Sequence, residues 1–110
     1  MSAARVRVGT RRRRWSIYLV RTADGALYTG IALDVAARFA AHADGRGAKA
    51  LRGRGPLTLA FARVVGPHGA SLRLEARVKR LAKADKERLV VAGLPRGWLA
   101  ACRSTAAARP

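Results

Sequence analysis

Two short tyrosine-bearing segments, separated by a turn signal, constrain the fold of this chain more than any other feature. The segments are Ser16-Ile17-Tyr18 and Tyr28-Thr29-Gly30, and Ala23-Asp24-Gly25 lies between them. Both tyrosine segments have the composition of β-strands, and a short connection containing Asp-Gly is typical of a hairpin. The sequence therefore predicts an antiparallel hairpin over this region.

The length of the hairpin loop decides whether the two tyrosines share a face of the sheet. In a two-residue turn, Ala23 would pair with Ala26 and the phenols would lie on opposite faces. In a three-residue loop, Gly25 takes the left-handed position of a G1 bulge and Thr22 pairs with Ala26. We predict the three-residue loop.

The predicted register places both phenols on one face. Tyr18 then pairs with Gly30, and Val20 pairs with Tyr28, because side chains alternate along each strand. Gly30 has no side chain, so we expect open backbone beside Tyr18, as a substrate site would need. The alternative is structural, since tyrosine is common in strands with its hydroxyl at the edge of a core.

The rest of the chain predicts the element order β-β-α-β-α-α. Asp34 is a suitable N-cap for a helix that ends near Ala43, and residues 57–65 have the alternation of a third strand. Ser71 and Asp85 are suitable caps for two later helices. A mixed α+β fold, with a three-stranded antiparallel sheet flanked by helices, is the simplest architecture because one sheet face must be covered.

The charge of the chain favours a nucleic-acid partner. Its 110 residues contain 23 basic and 6 acidic side chains, a net charge of +17. Residues 1–14 lack periodicity and predict a disordered basic arm, residues 15–94 form the domain, and residues 95–110 form a basic C-terminal tail. A basic domain with a basic arm is typical of phosphate-backbone binding. A solvated charge run is the alternative.

Cysteine content and hydropathy indicate the compartment. Cys102 is the only cysteine, which suggests a reducing environment and an incidental thiol in the tail. No stretch approaches the roughly 18 apolar residues of a membrane span. We therefore expect a cytoplasmic protein without a membrane partner. A monomer is favoured, although the sequence does not determine the oligomeric state.

The hairpin motifs and the residues after them resemble the GIY-YIG nuclease superfamily, in particular its small bacterial members that consist of this domain alone. The resemblance covers about residues 15–94. The matching positions are Tyr18, Tyr28, Gly30, Arg38 and Glu75. Ser16 stands in place of the first glycine of the pattern, and Thr29 stands in place of the isoleucine. Many members carry an asparagine near the end of the domain, and this chain contains none, so that part of the family site is not carried over.

The resemblance implies a metal-dependent endonuclease that hydrolyses phosphodiester bonds, with DNA favoured over RNA. Branched, damaged or single-stranded forms would be its substrates, in a setting of DNA repair or recombination. Glu75 would hold Mg²⁺, with Mn²⁺ as a substitute, although an ion pair with Lys79 is its other interpretation. Tyr18 or Tyr28 would remove a proton from water, with Tyr18 favoured, and Arg38 would stabilise charge on the phosphate. The alternative is a non-catalytic nucleic-acid-binding module that keeps the fold.

The remaining candidates are polar residues near this motif. His42 lies one helical turn after Arg38, and three roles stay open for it: general acid, phosphate donor and exposed helix residue. His68, in a Pro-Gly turn, is expected to be structural. We expect the following residues to contact the nucleic-acid backbone: Gly30, Lys49, Arg52, Arg54 and Lys79.

Overall fold

The computed structural model describes residues 13–107, and the predicted basic arm therefore lies almost entirely outside the described residues. The strands are β1 (Trp15–Arg21), β2 (Leu27–Ala32) and β3 (Thr58–Gly66). The helices are α1 (Val35–Ala43), a 3₁₀ turn (Lys49–Leu51), α2 (His68–Lys79), α3 (Lys83–Ala92) and α4 (Trp98–Ala107). The strands form one antiparallel sheet in the order β2-β1-β3. The predicted three-stranded α+β fold is confirmed.

The hairpin loop has the predicted three residues. Gly25 has φ of 92°, a left-handed conformation that glycine adopts without steric cost. The Thr22 N–H donates to the Ala26 carbonyl at 2.9 Å, and the Gly25 N–H donates to the Thr22 carbonyl at 2.9 Å. The Thr22 hydroxyl also donates to the carboxylate of Asp24. These bonds establish the G1 bulge.

The strand register follows from this loop and is also as predicted. Tyr18 pairs with Gly30, and Val20 pairs with Tyr28. Tyr18 and Tyr28 accordingly pack with one apolar cluster on one side of the sheet. The prediction that both phenols share a face is confirmed.

The central strand β1 is covered on both faces, so the sheet separates two apolar clusters. The larger cluster packs the sheet against α2, α3 and α4, and its buried members include Ile17, Leu19, Val65, Leu74, Val78, Leu89 and Cys102. The smaller cluster lies between the sheet and α1, and its buried members are Tyr18, Val20, Ala32 and Leu51. The two predicted tyrosines therefore belong to the smaller cluster.

Helix α4 lies within the segment predicted as a basic C-terminal tail. Trp98, Leu99 and Cys102 pack against the larger cluster, and Cys102 is only 7% exposed. The Arg103 Nε donates to the carbonyl of Val65 at 2.7 Å and fastens the helix to β3. This helix was not predicted because the alanine and arginine content of the segment obscures an apolar stripe at i, i+1 and i+4. None of the helices within residues 13–107 has the length and apolar character that a membrane span requires.

The predicted helix caps are correct at one of three positions. The Asp34 carboxylate accepts from the Ala37 N–H at 3.0 Å and caps α1. Ser71 is not a cap, because α2 begins at His68 and Ser71 is buried within it. Asp85 is not a cap either, because α3 begins two residues earlier. A carboxylate in the first turn of a helix still suits the helix dipole.

Candidate active site

Three rings meet between the hairpin and α1. The Tyr18 Oη and the His42 Nε2 are 2.8 Å apart. The ring of Tyr28 meets the imidazole edge-on, with centroids 5.7 Å apart. Tyr18 is 1% exposed and His42 is 2% exposed, so the exposed-helix interpretation of His42 is wrong. Helix α1 carries His42 inward because its last turn packs on the hairpin.

The hydrogen bonds of His42 determine its tautomer. The Ala48 N–H donates to His42 Nδ1 at 3.1 Å, so Nδ1 must carry a lone pair. The neutral imidazole then has its proton on Nε2, and this N–H donates to the Tyr18 oxygen. The hydroxyl proton of Tyr18 consequently points away from His42. The Tyr18 hydroxyl can therefore donate to another acceptor.

Two glycines enclose the Tyr18–His42 pair. A methyl group on Gly30 would lie 2.5 Å from the Tyr18 Oη, and one on Gly47 would overlap the imidazole of His42. We expected Gly30 to leave open backbone beside Tyr18, but the phenol itself occupies that space. The absence of a side chain at Gly30 is explained by Tyr18, and a contact between Gly30 and substrate stays a prediction.

Burial and neighbouring charges set the protonation of the pair. Burial raises the pKa of Tyr18, and the charges of Tyr28 and Glu75 raise it further. Arg38 opposes this rise in the pKa of Tyr18 by hydrogen bonding and by its charge. Burial, and then the charge of Arg38, lowers the pKa of His42. Both members of the pair are therefore uncharged at neutral pH.

The same interactions show which predicted residues come together. Tyr28, Arg38 and Glu75 all act on the Tyr18 hydroxyl through charge, and His42 is bonded to it directly. The other four residues predicted as catalytic thus all act on the hydroxyl of Tyr18. The guanidinium of Arg38 is on an exposed residue and forms no ion pair within residues 13–107. It is therefore available to an anion.

Glu75 is the carboxylate of this group. Its side chain is 18% exposed, and its Oε2 lies 3.4 Å from the Lys79 Nζ. The described residues contain no cluster of three His, Cys, Asp or Glu side chains suited to a metal ion. Mg²⁺ commonly takes only one or two protein carboxylates and completes its shell with water and substrate phosphate. A single, partly exposed carboxylate fits such an ion, since its exposed lysine partner is a weak competitor.

The predicted nucleic-acid contacts fall into two groups. Lys49 and Arg52 are exposed in the loop that follows α1. Arg54 instead pairs with Asp24 at 3.2 Å, and its carbonyl accepts from the Ala23 N–H at 2.9 Å. It therefore fastens the loop to the hairpin turn.

The loop that follows α1 also forms part of the site, which the sequence did not predict. Gly47 closely approaches the imidazole of His42, and the N–H of Ala48 donates to its Nδ1 and so fixes the tautomer. The one sequence feature that could have indicated this contact is Gly47, a glycine five residues after His42. Its φ is not in the left-handed region, so the lack of a side chain there reflects close approach and not a turn.

The chain is similar to known proteins over most of its length. The model of the GIY-YIG catalytic domain matches residues 14–88. A UPF0213 protein from Citrobacter koseri is 61% identical over 79 residues, which are 72% of this chain and 79% of that protein. UPF0213 protein YhbQ from Salmonella typhimurium is 62% identical over 76 residues, 69% of this chain and 76% of that protein. The solution NMR structure of UPF0213 protein BH0048 from Bacillus halodurans is 37% identical, with a TM-score of 0.48 over 77% of this chain and 92% of that chain.

Proposed function

Because the chain belongs to the GIY-YIG catalytic domain family, we propose that it is a metal-dependent endonuclease that hydrolyses phosphodiester bonds in DNA. Branched, damaged or single-stranded DNA is the proposed substrate, in repair or recombination. The observation that carries the proposal is that a second phenol, a histidine, an arginine and a carboxylate all act on the Tyr18 hydroxyl, the histidine by a hydrogen bond and the carboxylate through its charge. The net charge of +17 supports a polyanionic substrate.

In this proposal the two tyrosines have different roles. Tyr28 is only partly buried, whereas Tyr18 is 1% exposed, so water reaches Tyr28 more readily. A negative charge on Tyr28 raises the pKa of Tyr18. Tyr18 therefore keeps its proton when Tyr28 loses one. We therefore assign proton removal from the attacking water to Tyr28 and give up the earlier preference for Tyr18.

Tyr18 acts as a neutral hydrogen-bond donor. The His42 Nε2–H donates to its oxygen, and its own O–H is left to donate to a phosphate oxygen or to the attacking water. His42 is a positioning residue, since it holds Tyr18 and does not itself reach the substrate.

Arg38 and Glu75 complete the chemistry at the phosphate. Arg38 binds the non-bridging oxygens and stabilises the charge that develops as water adds and the leaving oxygen departs. Glu75 is the residue that would hold Mg²⁺ or Mn²⁺. A bound ion of this kind supplies Lewis-acid stabilisation of the leaving oxygen.

The deciding experiment is cleavage of labelled branched, single-stranded and duplex DNA, with matched RNA, in Mg²⁺, Mn²⁺ or EDTA. We expect metal-dependent cleavage of DNA that rises with pH, because a phenol must lose its proton before it can take one from water. Tyr28→Phe should lower turnover by about 10²–10⁴. Tyr18→Phe is the matched control and should cost less, since it removes a donor and not the base.

Two results would change these assignments. If Tyr28→Phe cuts as well as the wild type while Tyr18→Phe is inactive, the roles of the tyrosines are exchanged. If the wild type binds nucleic acid and cuts nothing, the protein is a non-catalytic DNA- or RNA-binding module. The ion pair of Glu75 with Lys79 favours that second function, because it satisfies the carboxylate without a metal.

A further inference from the structure

A basic cavity lies apart from the tyrosines, where β3 ends and α4 passes over it. Its volume is about 660 Å³, and it is lined by the segment before β1, by residues 63–67 and by α4. Four arginines line it, and we call it the arginine cavity: Arg13, Arg14, Arg63 and Arg103. All four residues are exposed, and no acidic residue contributes to the lining.

The charge of the arginine cavity is not neutralised by the described part of the protein. All six acidic residues of the chain are engaged elsewhere. Asp34 caps α1, and the other five form ion pairs: Asp24 with Arg54, Asp44 with Arg46, Glu75 with Lys79, Asp85 with Arg88, and Glu87 with Arg21 and Lys83. Four like charges around one concave surface create a positive potential that attracts anions.

The strand register places this cavity on the other side of the sheet from Tyr18. Arg63 pairs with Ile17, so its side chain lies on the face that carries the larger apolar cluster. Helix α4, which carries Arg103, packs on that same cluster. The cavity is therefore separate from the tyrosine site, and a nucleic acid bound at both sites must pass around the edge strand β3.

We propose that the arginine cavity binds backbone phosphates of the nucleic acid at a site separate from the bond beside Tyr18, on the α4 side of the sheet. This inference rests on the proposed function only in taking nucleic acid as the substrate. Guanidinium groups suit phosphate oxygens because they offer paired donors. Such contacts position the strand and do not read its bases. The cavity therefore adds affinity for the nucleic-acid backbone away from the tyrosines.

The test compares two double variants that lose the same charge. Arg14→Gln with Arg63→Gln removes half of the arginines of the cavity, and Arg103 is left intact because it fastens α4 to Val65. Arg80→Gln with Arg96→Gln is the control, since both residues are exposed and neither lines the cavity. Thermal unfolding establishes that both proteins fold. Binding of a fluorescent 16-nucleotide single strand is measured by anisotropy in EDTA, across a range of salt concentrations.

We expect the cavity variant to bind roughly tenfold more weakly, and its slope of log K against log salt to fall by about 1.4, or 0.7 for each lost phosphate contact. The control should change affinity less than twofold. Equal losses in the two variants would overturn the inference, because net charge would then explain them. Affinity and slope that match the wild type in the cavity variant would also overturn it.

Cleavage kinetics separate this inference from the proposed function. A cavity variant with raised KM and unchanged kcat supports the inference, because a positioning contact is made equally in ground and transition states. If the wild type cuts nothing but the cavity variant binds more weakly than the control, the cavity inference stands and the endonuclease proposal fails. If the wild type cuts and the two double variants behave alike, the endonuclease stands and the cavity inference fails.

Discussion

Replacing Gly30 with alanine tests how tightly the Tyr18–His42 pair is held. The new methyl group would lie 2.5 Å from the Tyr18 Oη and 2.6 Å from its Cζ. Both distances are far shorter than van der Waals contact, so the phenol must move. Tyr18 is 1% exposed and packs in the smaller apolar cluster, and its ring cannot turn into solvent without opening that cluster.

Two costs contribute to the expected loss of stability. Forcing additional volume into a packed core costs about 1–3 kcal/mol. If the phenol is displaced, the buried His42 Nε2–H loses its acceptor, which costs a further 1–3 kcal/mol or so. The sum is about 2–6 kcal/mol of unfolding free energy. At about 4 °C per kcal/mol for a domain of this size, the Tm should fall by at least roughly 8 °C.

The assay is thermal and urea unfolding followed by far-UV circular dichroism. Gly69→Ala is the matched control, because Gly69 lies in α2 and its methyl group would approach only the Arg73 Nη1, at 3.5 Å. That variant should equal the wild type or exceed its stability by up to about 1 kcal/mol. A loss below about 1 kcal/mol in Gly30→Ala would refute the reasoning, since the phenol would then have room to move.

Three further predictions concern protonation, metal and the basic arm. Burial lowers the pKa of His42, so its contribution to stability is complete above its ordinary pKa of about 6.5 and is lost as the pH falls; His42→Gln should flatten urea stability between about pH 7 and 5, and an unchanged slope would contradict this. Glu75→Ala should abolish metal-dependent cleavage but leave DNA affinity in EDTA unchanged or slightly stronger, and its stability should stay within about 0.5 kcal/mol; cleavage at the wild-type rate would exclude Glu75 as the metal ligand. Deleting residues 1–14 removes six arginines and should lower the salt slope of duplex binding by about 2.7 if the arm contacts about three phosphates; an equal slope in the full chain and the deletion would show that the arm makes no such contacts.

The hairpin could be predicted because its determinants are local. Asp24 and Gly25 predict a tight hairpin loop, and with three residues in that loop the period of two along each strand assigns Tyr18 and Tyr28 to one face. The N-cap of α1 at Asp34 is local in the same sense, since a carboxylate three residues before a free N–H is enough to cap a helix.

The interior of the site could not be predicted, because it depends on contacts between distant segments. Helical spacing relates His42 to Arg38, but its burial requires the chain to return over the imidazole at Gly47 and Ala48. The start of α2 was misjudged for a related reason. Ser71 has good cap chemistry, but burying its face of the helix against the sheet stabilises the fold more than a cap would. The helix therefore extends back to His68.

Helix α4 imposes a different kind of constraint on the sequence from that of the tyrosines. The family domain matches residues 14–88, whereas the apolar core continues to Cys102. The proposed catalysis requires particular side-chain atoms in fixed positions, whereas α4 needs only to present an apolar stripe to the sheet. Related chains can therefore replace this helix with unrelated sequence, or with an element of another kind, as long as the same core surface is covered. A boundary drawn at the last functional motif would cut through the folding unit.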